Sequence, residues 1–148
     1  MMKWISAHMN LRAGPRVVLG SLLLFMASSP STNAHHAFAA EYDGDKPLDL
    51  VGTVTKARWV NPHSWLYFDV QGADGKATNW GVEMGAPNAL ASKGLEKTDL
   101  GPGAAIHVRG FRSKNGGAFG YAVTITLADG RTFQTGGAPN IAAPSTGN

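Results

Sequence analysis

Ser64–Gln71 (SWLYFDVQ) alternates without a break, with Leu66, Phe68 and Val70 on one side and Trp65, Tyr67 and Asp69 on the other. A period of two specifies a strand with one buried face, and a slip of one residue would turn every side chain over. Ala73-Asp74-Gly75 supplies a turn, glycine being free to take a left-handed position there. Lys76–Met84 follows, with Trp80, Val82 and Met84 on one face. Pairing Phe68 with Trp80 across that turn puts both apolar faces on the same side. The same register sets Trp65 opposite Glu83, and Tyr67 opposite Gly81, on the other face.

The remaining segments follow from the same kind of reading. Pro47–Val60 is β-branched and strand-like, and Asn61-Pro62 ends it because proline brings no ladder donor. Pro87–Lys93 reads as a short helix, with proline suited to its first turn and Gly94 to its C-terminal cap. Ala105–Arg112 forms a fourth strand, with Ile106 and Val108 inward and His107 and Arg109 outward. Asn115-Gly116-Gly117 turns the chain into a fifth, Phe119–Leu127, where Phe119, Tyr121, Val123, Ile125 and Leu127 share one parity. A stub at Arg131–Gln134 follows Asp129-Gly130. Leu66, Phe68, Val70, Trp80, Val82, Ile106, Val108, Tyr121, Val123 and Ile125 are expected to form one core. Three strands, a short helix and two strands make the order of the OB-fold. The expected class is therefore all-β with one short helix, a small five-stranded OB-like barrel. A small β-sandwich is the alternative.

The first 34 residues carry a different signal. Lys3, Arg12 and Arg16 lie in a basic leading segment with no acidic residue. Val17–Ala27 is an apolar run of 11 residues, and Ser28–Ala34 ends in Thr-x-Ala. That is the layout of a cleaved signal peptide, with cleavage after Ala34. The run is short of the roughly 20 residues needed to span a bilayer, so no transmembrane anchor is expected. The reading is residues 1–34 as signal peptide, 35–135 as a single domain and 136–148 as a disordered tail, in a periplasmic or secreted protein. Of the 13 basic and 10 acidic residues, those beyond position 34 number ten of each. A mature chain without net charge gives little support for nucleic-acid binding.

Few chemistries are open to this chain. There is no cysteine, so disulfides and thiolate metal sites are excluded. There is no G-x-S-x-G, P-loop or H-E-x-x-H motif, and no catalytic residue is assigned. Asp69 and Glu83 share a face, which makes a hydrolase based on either the weakest reading. Histidines are more informative. Cleavage after Ala34 would make His35 the N-terminus. Its amine and Nδ1 could then chelate a metal, with His36 or His63 completing a three-nitrogen set and Glu83, diagonal to His63, as the candidate fourth ligand. Such a set suits Cu(II), so copper is the expected cofactor if there is one. The plainer alternative makes His35-His36 a polar start and His63 a turn cap. His107 reads as an exposed strand histidine.

Trp65 and Tyr67 carry the second hypothesis. They point away from the core on the strands that OB-folds use for ligands. With Arg58 or Arg109 nearby they could stack a small molecule or dock a partner protein. The alternative is that HHAFAAEYD lies across this face, with Phe38 and Tyr42 as anchors, and buries both aromatics.

The segments HHAFAAEYD, GTVTKARWVNPHSWLYFDV, NWGVEMGAPNAL, LGPGAAIHVRGFRSKNG and TLADGR together resemble a family of small exported proteins of Gram-negative bacteria, known only as a domain of unknown function. W-V-N-P-H falls on Trp59–His63 and N-W-x-V-E on Asn79–Glu83. The resemblance spans about residues 35–133. It implies export and a single domain, and no activity, substrate or cofactor.

Overall fold

The structure, a computed structural model, describes residues 38–136. The segment expected to be a signal peptide, His35 and His36, and all but the first residue of the expected tail lie outside them.

The strands are β1 (Tyr42–Arg58), β2 (Ser64–Gln71), β3 (Ala77–Met84), β4 (Ala105–Ser113), β5 (Phe119–Leu127) and β6 (Thr132–Gln134). Helix α1 (Pro87–Ser92) and a 3-10 turn (Lys97–Leu100) lie between β3 and β4. Proline opens α1, as its fixed φ and missing N–H favour. The 3-10 turn was not legible in the sequence; it is closed by reciprocal hydrogen bonds of Glu96 and Asp99.

The sheet is mostly antiparallel, with order β3-β2-β1-β4-β5-β6. A parallel pairing of β3 with β5, from Gly81–Phe119 to Glu83–Tyr121, closes a ring of hydrogen bonds through five strands. That circuit meets the expectation of a small all-β fold with one short helix. Strand β1 serves two neighbours, β4 along Tyr42–Thr53 and β2 along Thr53–Arg58. A register shift between Val54 and Lys56 marks the changeover, and a bulged strand bends at such a point. A larger shift between Asp43 and Pro47 loops out Gly44-Asp45-Lys46. For this reason β1 begins five residues before the expected Pro47, at Tyr42. It stops at Arg58 rather than Val60.

The β2–β3 register is the one read from parity: Phe68 faces Trp80, Trp65 faces Glu83, and Tyr67 faces Gly81. Leu66, Phe68, Val82, Met84 and Val108 are fully buried in the main core, which Leu90, Leu95 and Leu100 complete. The expectation of one core needs correction. Tyr121 and Val123 belong to a separate cluster with Tyr42, against which Phe38 and Phe111 pack. The cause is a bulge in β5. Arg109 pairs with Thr124 but Gly110 pairs with Ala122, so Val123 has no partner of its own on β4. One extra residue reverses the sides. Ile125 and Leu127 reach the main core, whereas Tyr121 and Val123 form the outer cluster. Phe119, of the same parity, remains 47% exposed. Gly110 makes the close approach possible, since a Cβ there would lie 1.8 Å from the Tyr121 carbonyl oxygen.

Candidate functional site

The outer face of β2 and β3 holds a buried carboxylate. Glu83 stands opposite Trp65, away from the main core, yet is only 8% exposed. The β1 extension explains this, because it brings Tyr42 over Glu83. The Tyr42 hydroxyl donates to Glu83 Oε2 at 2.5 Å. Burial, reinforced by the adjacent carboxylate, holds the Tyr42 phenol far above its ordinary pKa, so it stays protonated and donates.

His63 occupies the other oxygen. Its Nδ1 lies 2.5 Å from Glu83 Oε1. The loop from β1 leads to it through Asn61-Pro62, a cis peptide bond. His63 is two residues before Trp65, hence diagonal to Glu83, a separation that long side chains bridge. A carboxylate accepts, so Nδ1 donates to Glu83, and in the neutral ring the lone pair then lies on Nε2. The His63 side chain is 53% exposed. Tyr42, Glu83 and His63 thus present one imidazole nitrogen in fixed orientation.

An aromatic shelf lies alongside. The Trp65 and Tyr67 rings are 6.5 Å apart with planes 23° from parallel. Across from Tyr67, Gly81 leaves room that another residue would fill. A Cβ on Gly81 would come within 2.9 Å of the Phe119 ring and 3.2 Å of the Tyr67 ring. Glycine within a strand weakens it and often marks a close approach; here the approaching group is Phe119. A cavity of about 580 Å³ opens beside the shelf, bordered by Trp65, Phe119, Tyr42 and the 113–115 turn.

The N-terminal segment is seated at one side of this face. Phe38 packs on Tyr42, Tyr121 and Phe111, with ring centroids 5.4, 5.1 and 5.7 Å away. Lys114 Nζ donates to the Ala39 carbonyl at 2.5 Å, and Lys114 N to the Glu41 carbonyl at 2.9 Å. Phe38 and Tyr42 are therefore anchors, as one expectation had it. They seat on the outer cluster, and Trp65 and Tyr67 are half-buried.

The structure joins some of the expected site residues and separates others. His63 and Glu83 meet. Arg58 is the β1 ladder partner of Trp65 and shares its face. Arg109 is not on the strands that carry Trp65 and Tyr67. It lies on β4 between β1 and β5, opposite Asp49 and Thr124, with its Nε 3.6 Å from Asp49. His107 is paired with the same Asp49 at 2.6 Å. Asp69 is held by Asn79 at 2.7 Å and lies four ladder positions from Trp65 and Glu83, roughly 13 Å along the strand. Among the described residues no group of three or more His, Asp or Glu is placed to hold a metal. Nor is any helix among them long and apolar enough to cross a membrane. Sequence reasoning missed Phe119 as part of the shelf. Gly81, an unexplained glycine within a strand, was the available signal.

Residues 23–122 match the model of the family of unknown function DUF6152. The chain belongs to that family. The matched stretch includes Tyr42, His63, Trp65, Glu83 and Phe119, so it contains the whole of the site just described. No curated protein and no solved structure matches the chain.

Proposed function

We propose that the protein is an exported, non-enzymatic binding domain of the periplasm that holds one Cu(II) ion between His63 and the mature N-terminal histidines. The observation that carries this reading is the contact of His63 Nδ1 with Glu83 Oε1. Metal-bound histidines characteristically donate their second ring nitrogen to a carboxylate, which orients the ring and raises its basicity. In this reading Glu83 orients His63, and Nε2 is the ligand atom.

Four considerations support it. Glu83 is a buried carboxylate in contact with His63 Nδ1, and a cation at Nε2 offsets the cost of burying that charge. Phe38 is seated against Tyr42, and His36 is two residues away, so the chain between them spans at most about 7 Å. The basic leader, apolar run and Thr-x-Ala site direct cleavage to the bond before His35, which frees its amine. Nitrogen donors favour Cu(II) over zinc by the Irving–Williams order.

Titration of the exported protein with Cu(II) tests the reading. His63→Ala should weaken binding by about tenfold or more if the folded domain contributes a ligand. Equal affinity in parent and variant would reduce the site to an exposed His-His terminus.

A second reading is favoured by a separate observation, the clearing at Gly81 that lets Phe119 approach Tyr67. It makes the half-buried Trp65 and Tyr67 and the exposed Phe119 a shelf for a small molecule or a partner protein.

A further inference from the structure

We propose that the cavity beside Trp65 is a saccharide site, taking a neutral pyranose ring of an oligosaccharide. This rests on the aromatic-shelf reading and is independent of the metal. The size is suitable: about 580 Å³ lies within the ~300–1,000 Å³ usual for small-ligand sites. Trp65 and Phe119 form apolar walls, and Phe119 is among the few large apolar side chains left exposed. The C–H face of a pyranose matches such walls.

The polar rim decides the class. Asn115 accepts from Ser113 Oγ through its side-chain oxygen at 2.8 Å, which leaves its amide N–H groups to donate. Lys114 spends one ammonium hydrogen on the Ala39 carbonyl and keeps two. Glu41 engages the turn through its backbone carbonyl, which leaves its carboxylate to accept. Donors and an acceptor thus stand side by side, and a hydroxyl uses both. A phosphorylated ligand would meet the Glu41 carboxylate together with a single lysine, on a mature chain with no net charge. A nucleobase would use the walls but not the mixed rim.

The experiment is a titration of the exported protein in excess chelator, following tryptophan emission. The probes are maltose, cellobiose, N,N′-diacetylchitobiose and adenosine. Each is offered up to about 20 mM, well beyond a millimolar Kd. At least one disaccharide should give a saturable change. Trp65→Ala should abolish it, and Phe119→Ala should weaken it roughly tenfold, the loss typical of one stacking ring. Asn115→Ala, on an exposed turn, should also weaken it, and serves if the aromatic variants do not fold. Silence from every disaccharide, or a response unchanged in Trp65→Ala and Asn115→Ala, overturns the proposal. A Trp65-dependent response to adenosine alone also overturns it while sparing the shelf. Silence from adenosine as well would count against the shelf.

Discussion

His63 Nδ1 stands 2.5 Å from Glu83 Oε1 although Trp65, not His63, is the ladder partner of Glu83. The contact is diagonal, and it follows from the β2–β3 register. Tyr42 completes it from a distant stretch of chain, 41 residues earlier than Glu83. The pair therefore depends on local pairing, and the burial of Glu83 depends on long-range packing.

Tyr42→Phe tests that second dependence. It leaves one oxygen of a buried carboxylate without a donor, at a cost of about 1–3 kcal/mol in urea unfolding. The pH dependence should change too. The native phenol keeps its proton above the ordinary value of 10.0, while the unfolded phenol loses it there. The contribution of Tyr42 is therefore fully present below pH 10 and is lost as pH rises beyond it. Melts of parent and variant should converge as the solution becomes more alkaline; a constant gap would contradict this.

Processing is the next prediction. Intact-mass measurement on exported protein should show a chain that begins at His35. An added glycine before His35 should change the Cu(II) chelate, and with it the Cu(II) absorption spectrum, without altering the melt, because it moves the amine away from that imidazole and makes His36 the third residue. A chain that retains its leader, or a spectrum indifferent to the glycine, would remove the amine from the ligand set.

Phe68 is fully buried in the main core. Phe68→Ala should cost about 3–5 kcal/mol, a large part of the ~5–15 kcal/mol typical of a domain. Denaturant unfolding that matches the parent would mean the inner face of β2 is misassigned.

Gly110→Ala examines the β5 bulge. The added methyl would meet the Tyr121 carbonyl oxygen, so a loss of at least about 1–3 kcal/mol is expected. A hydrogen-exchange comparison should localise the damage to β4 and β5, with the β2–β3 hairpin protected as before.

Alternation alone determined the β2–β3 hairpin, its register and the placing of Glu83 diagonal to His63, because a period of two leaves one arrangement that buries Leu66, Phe68 and Val82 together. Turn chemistry around Pro87 and Gly94 likewise placed α1. What the sequence did not determine is whatever depends on strands far apart in the chain. The β3–β5 pairing, the extra residue at Val123 and the start of β1 at Tyr42 came only with the tertiary structure. A bulge has no periodic signature, because one residue of excess is recognisable only against the strand it pairs with. For that reason parity turned Phe119, Tyr121 and Val123 toward the main core, and the fold turned them outward, where Tyr121 joins Tyr42 and Phe119 covers Gly81.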